Sequence, residues 1–156
     1  MAAFLFGIWL TLYVLGMWTE SSTDLVEKAV VSIQLTAQAD WSEFFSAEYV
    51  GDLSEDSFLV LSKTAHVLSS VLLGLLFFWW QGIRISKVVL LLAVVTFIEC
   101  MQEFFTRDSR ILDVGLNALG VLIAAGILGS LLTMARWKRN ADETENESEA
   151  LRRAGR

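Results

Sequence analysis

Ionisable and amide side chains set inside long apolar runs are where this 156-residue sequence could do chemistry. In the hydrocarbon core of a bilayer, about 30 Å thick, such groups are costly and face a protein interior or a wet cavity. Lys63 and His66 stand near the start of one apolar run. Glu99 and Gln102 stand near the end of the next, and Asp113 and Asn117 at the start of the last. Spacings of three and four residues put each pair on one helix face. Glu99 and His66 are the candidate acid/base pair, because His titrates near neutrality and a buried carboxyl must either be paired with Lys63, Arg107 or His66 or take up a proton. Lys63 and Arg107 are candidates to hold an anionic group, Arg being suited to forked contacts with phosphate or carboxylate. Gln102, Asp113 and Asn117 would orient these groups. Each residue also has a plainer role: Lys63 can snorkel, Asp113 can cap a helix, Asn117 can join two helices, and His66 can be a satisfied hydrogen-bonding partner.

The elements that must position them are membrane-spanning helices, each needing about 20 mostly apolar residues. Four runs fit, over approximately 2–19, 58–80, 86–105 and 111–135. A soluble helix carries a polar stripe at its 3.6-residue period. Val114 to Ala135 offers only Asn117, Ser130 and Thr133 as polar side chains. The expected fold is therefore all-α, a four-helix transmembrane bundle with an extracytoplasmic acidic amphipathic segment between helices one and two. The membrane domain spans 1–139 and a polar tail spans 140–156. The first run lacks a basic start and a small-x-small cleavage site, and reads as a span rather than a signal peptide. At 1.5 Å per residue, His66 lies about 12 Å, and Glu99 and Asn117 about 9 Å, below the outer ends of their helices. A polar pocket opening to the outer leaflet is the consequence.

Orientation follows the bases near helix ends. Arg84 and Lys87 join helices two and three, and Arg136, Lys138 and Arg139 follow helix four. The segment from Glu20 to Ser62 has nine acids and one base, Lys28, for a net of −8. Both termini are expected in the cytoplasm and this insert outside, although Arg107 and Arg110 run against the rule. Trp18 falls at an outer helix end, and Trp79, Trp80 and Trp137 at inner ends, as interfacial indoles should. In the insert, Val26, Ala29, Val30, Ile33 and Ala37 recur at helical spacing after a Thr23 or Asp24 cap, predicting an amphipathic helix, followed by the aromatics Trp41, Phe44, Phe45 and Tyr49. Small residues in the fourth run, including Gly120, Ala124, Ala125 and Gly129, predict close helix packing within the bundle.

Composition excludes several classes. The chain is 54% apolar and 19% charged with a net of −6, and its mean hydropathy is +0.53. Nucleic acid is not an expected partner, since phosphate binding needs clustered Lys and Arg. Cys100 is the lone cysteine, so no disulfide framework forms, and no zinc motif, nucleophile elbow or phosphate-binding loop occurs. No cofactor or metal is expected.

At Lys63 and His66, and over ECMQEFFTRDSRILDVGLNALG from Glu99 to Gly120, the sequence resembles the VanZ family, small multi-pass bacterial membrane proteins named for a member linked to teicoplanin resistance. The second stretch looks like that family's Glu-x-x-Gln, then Arg, then Asp-x-x-x-Asn-x-x-Gly. Arg107 matches the Arg position better than Arg110 by its spacing to Asp113. Carried over, the motif residues are Lys63, His66, Glu99, Gln102, Arg107, Asp113, Asn117 and Gly120. The resemblance, covering Ser62 to Ala135, implies a cell-envelope role linked to glycopeptides; it names a process rather than a reaction.

Three functions stay open on these residues. The leading one binds or modifies an anionic headgroup or cell-wall precursor at the outer leaflet. A proton- or ion-coupled transporter is the second, but the inner halves of the helices carry no ionisable residue. A non-catalytic structural or partner-binding membrane module is the third.

Overall fold

The computed structural model describes residues 1–21, 24–25, 28–36, 41–45, 57–105 and 110–154. Arg107 of the candidate site, and Val26, Ala37 and Tyr49 of the insert, lie outside the described residues. The described residues form α1 (Ala2–Trp18), the short α2 (Trp41–Phe44), α3 (Ser57–Gln81), α4 (Ile85–Met101), a 3-10 turn (Gln102–Phe104) and α5 (Ile111–Ala154), with no strand among them. Three helices have spans long and apolar enough to cross a membrane, over Leu59–Gln81, Ile85–Phe104 and Ile111–Asn146. The equally apolar α1, at 17 residues, reaches about 25 Å.

The bundle is built inside out relative to a soluble protein. Large apolar side chains such as Phe4, Leu12, Leu68, Val89, Phe97, Leu122 and Leu131 are exposed on all four long helices, whereas Thr19, His66, Ser70, Glu99, Gln102, Glu103, Asp113 and Asn117 are buried. In water that arrangement would be costly; in lipid the apolar belt is the solvated surface. The apolar core is modest and lies beside the polar group, drawing Tyr13 and Met17 from α1, Leu73, Phe77 and Phe78 from α3, Leu91, Val95 and Ile98 from α4, and Val121 and Ala124 from α5.

The packing of α3 on α5 is the most extensive in the bundle. The two helices run parallel in a fixed register. Lys63 meets Asp113, a Cβ on Gly120 would stand 2.7 Å from Ser70 Cβ and 2.6 Å from the Val67 carbonyl oxygen, and one on Gly74 would stand 2.7 Å from Ala124 Cβ. Lys63, Ser70 and Gly74 are seven and four residues apart and so share one face, and their partners Asp113, Gly120 and Ala124 repeat that spacing. Glycine at 74 and 120 allows the backbone approach that this register requires. The expected small-residue packing face is thus found at Gly120 and Ala124.

α1 lies antiparallel to α3, with Phe6 against Phe77 and Trp80 and the Trp9 indole donating to the Ser69 carbonyl at 3.0 Å. Gly82, at φ +71, supplies the left-handed residue that ends α3 and turns the chain into α4. Trp79, Trp80 and Trp137 are exposed, whereas Trp18 is partly buried, donates to the Ile98 carbonyl at 3.1 Å and stacks on Phe105.

One expectation changes. The amphipathic helix of the insert does not run on to Ile33: helical backbone ends at Lys28, Ala29 has φ +53, and residues 29–36 are irregular. Their backbone is claimed by the rest of the bundle instead. Glu20 N–H donates to the Ser32 carbonyl, Ser32 N–H to Thr19 Oγ1 and Thr36 N–H to the Phe104 carbonyl, contacts that a helix would forfeit. The polar tail, for its part, continues α5 as one uninterrupted helix to Ala154.

Candidate functional site

Four helices deliver the polar group. α3 contributes Lys63, His66 and Ser70 from successive turns of one face, α4 contributes Glu99, the 3-10 turn Gln102 and Glu103, α5 Asp113 and Asn117, and α1 Tyr13 and Met17. These residues meet across the α3–α4–α5 junction.

Glu99 is the centre. It is fully buried, its Oε2 accepts a hydrogen bond of 2.6 Å from Asn117 Nδ2, and the same oxygen lies 3.9 Å from His66 Nδ1. At that distance the imidazole is poised beside the carboxylate, and a shift of about 1 Å would bring it to hydrogen-bonding range. Asn117 is held in turn by Ser70, whose hydroxyl donates to Asn117 Oδ1 at 2.9 Å, and Ser70 Oγ lies 3.1 Å from the Tyr13 hydroxyl.

Lys63 takes a different partner from those expected for Glu99. Its ammonium stands 2.7 Å from Asp113 Oδ1 and donates to both carboxylate oxygens. The reason is register: parallel packing of α3 on α5 brings their first turns together, while Glu99 approaches one turn further in, at His66. Asp113 accordingly lies in the first turn of α5 and forms an ion pair rather than a cap. Gln102 also turns aside. It opens the 3-10 turn at the end of α4, and its Nε2 donates to Met17 Sδ at 3.5 Å.

Of the seven candidate residues, the structure brings His66, Glu99 and Asn117 into one contact group and sets the Lys63–Asp113 pair one turn outward. Gln102 is buried alongside. Tyr13, Ser70 and Met17 join them without having been singled out from sequence, and Glu103, one turn on from Glu99, is buried with them. A hydroxyl in an apolar run carries little signal, although the three-residue step from His66 to Ser69 or the four-residue step to Ser70 marks the same face. Glu99, Glu103 and Asp113 are three buried carboxyl groups of this region, and Asp113 is the one that pairs with Lys63. No cluster of three or more metal-ligating side chains occurs among the described residues.

The family model for VanZ/LLP1 matches residues 2–133, from α1 to the first half of α5, and takes in every residue of this site. The chain belongs to the VanZ/LLP1 family. A relative in Bacillus subtilis (strain 168), described as the uncharacterized membrane protein YwnJ, is 26% identical over 119 residues, covering 76% of this chain and 84% of the relative. No solved structure matches the chain. Membership in VanZ/LLP1 and helices able to cross a bilayer together make this a multi-helix membrane protein.

Proposed function

We propose that this VanZ/LLP1 protein binds or modifies an anionic headgroup or cell-wall precursor at the outer leaflet of the cell membrane, with both termini in the cytoplasm, and that its role is linked to glycopeptide resistance. The observation that carries the reading is the convergence on Glu99. A buried carboxyl with His66 Nδ1 3.9 Å away and an orienting amide at 2.6 Å supports an acid/base pair that closes by about 1 Å when it acts. Lys63 supplies positive charge at the outward edge, and Arg107 follows Glu99 and Glu103 in sequence. An incoming phosphate or carboxylate would compete with Asp113 for the Lys63 ammonium, using the same donor geometry. Gln102 and Asn117 orient the group, and the lipid bilayer is the medium through which such a ligand reaches the site.

The test compares Glu99→Gln and His66→Ala with wild type in cells where the wild-type protein protects against a glycopeptide, at equal protein abundance. Loss of protection in both variants is expected. Unchanged susceptibility in both removes the acid/base reading.

A further inference from the structure

Tyr13, Ser70 and Asn117 stand in a directional relationship to Glu99 that acid/base chemistry at the site does not use. Asn117 Nδ2 faces the carboxylate at 2.6 Å, so its amide oxygen faces the other way, toward Ser70 Oγ at 2.9 Å. An amide oxygen only accepts, so the single hydroxyl proton of Ser70 is committed to it. The Tyr13 hydroxyl, 3.1 Å from Ser70 Oγ, is then the donor in that contact. All three hydrogen bonds point the same way, from α1 through α3 and α5 to the carboxylate on α4.

We propose that Tyr13, Ser70 and Asn117 are positioning residues forming a one-way hydrogen-bond chain, polarised by Glu99, through which α1 reads the charge state of the buried carboxyl. The same atoms support the opposite polarity. A protonated Glu99 would donate to Asn117 Oδ1 once the amide turned over, Asn117 Nδ2 would donate to Ser70, and Ser70 would donate to Tyr13. An ionised carboxyl, which only accepts, permits the first direction alone, whereas a protonated one permits both. Ser70, Asn117 and Glu99 are fully buried and Tyr13 nearly so, which leaves bulk water little access to compete for these bonds and lets each bond polarise the next.

The titratable groups nearest Glu99 are His66 from α3, 3.9 Å away, Tyr13 from α1, and Cys100 and Glu103 on its own stretch of chain, with the Lys63–Asp113 pair one turn off. A side-chain amide turns over but does not hand a proton along, so the chain transmits orientation and not protons. That property separates it from a transport path. The inference holds with no ligand bound and stands apart from the headgroup reading.

Tyr13 and Tyr49 are the two tyrosines of the chain. In the full-length protein in nanodiscs, Tyr49→Phe leaves Tyr13 as the single reporter, and ring-labelled tyrosine lets infrared spectroscopy read whether its hydroxyl donates or accepts. A donor band is expected in that background. Glu99→Gln replaces an acceptor-only carboxylate with an amide that both donates and accepts, which lifts the constraint and should add intensity at the Tyr13 acceptor position. Ser70→Ala should abolish that response, and Ser70→Thr, which keeps the hydroxyl, should restore it. Where Glu99→Gln does not fold, Asn117→Leu interrogates the chain from its middle, because it frees the Tyr13–Ser70 contact to take either direction. A Tyr13 band that stays put in the folded variant, or an acceptor band in the background protein, overturns the proposal.

Discussion

Lys63 Nζ stands 2.7 Å from both carboxylate oxygens of Asp113, joining α3 to α5 at the outward edge of the buried group. The side chains are 13% and 5% exposed, so little water screens either charge. Removing one partner from a buried pair costs more than the pair contributes, because the other charge keeps its desolvation penalty. Lys63→Met should therefore destabilise the protein by about 3 kcal/mol, while Lys63→Met combined with Asp113→Leu should recover most of that loss. Thermal unfolding in detergent across the four members of this cycle measures the coupling. Simple additivity of the two single losses would mean that the ion pair does not carry the effect.

The register between α3 and α5 makes an equally sharp forecast for glycine. A Cβ on Gly120 would stand 2.6 Å from the Val67 carbonyl oxygen and 3.0 Å from the Val71 backbone nitrogen, neither of which can move without separating the helices. Gly126, on the same helix, has nothing within 4 Å of such a Cβ and is exposed. Gly120→Ala should cost about 2 kcal/mol by overpacking, whereas Gly126→Ala should be neutral or stabilising by up to about 1 kcal/mol through helix propensity. Melting temperatures of the two variants should move in opposite directions, or Gly126→Ala not at all. A similar fall in both would show that helix packing at Gly120 does not set the response.

Much of this architecture is legible from the chain because a bilayer enforces two rules that leave marks in sequence: spans are long and apolar, and buried polar groups are rare enough to stand out. Those rules find the four long helices and bring His66, Glu99 and Asn117 together. They do not reveal who pairs with whom. Lys63 goes to Asp113 rather than Glu99 because a parallel α3–α5 register, set by Gly74 and Gly120, is a relation between helices that no single run displays. The insert misleads for another reason. The helical spacing of Val30 and Ile33 is genuine, but Ser32 and Thr36 trade helical hydrogen bonds for contacts with Thr19 and Phe104, and tertiary bonding prevails over a local pattern. Tyr13 and Ser70 escape notice since a hydroxyl is unremarkable in an apolar helix until its neighbour is known.

Asp24 and Lys28 give a pH prediction outside the membrane. The Lys28 ammonium, 2.6 Å away, donates to the Asp24 carboxylate and holds it below its ordinary value of 3.8, with the Coulombic attraction of the same lysine as the next cause. A depressed carboxyl stabilises its turn above the unfolded value and loses that contribution as pH falls through the folded one. The pair is exposed, so its effect is local. A carboxyl chemical-shift titration should place the Asp24 midpoint below 3.8, and Lys28→Ala should move it upward. An identical midpoint in the two proteins would exclude Lys28 as the cause.

Asn117 and Gln102 are buried amides of similar chemistry, yet they should respond very differently to replacement. Asn117 serves two partners at once, donating at 2.6 Å to a carboxylate and accepting at 2.9 Å from Ser70, and a hydrogen bond to a charged group is worth roughly twice a neutral one. Gln102 donates at 3.5 Å to a thioether, which is a weak acceptor. Asn117→Leu should cost about 3 kcal/mol, since it strips Glu99 of an orienting donor in a water-poor setting. Gln102→Met keeps the volume and exchanges a weak bond for apolar contact, so its cost should stay below about 1 kcal/mol. Unfolding of the two variants side by side gives the ranking. A Gln102→Met loss equal to that of Asn117→Leu would mean that burial alone, and not the bond to Glu99, sets the sensitivity of this site.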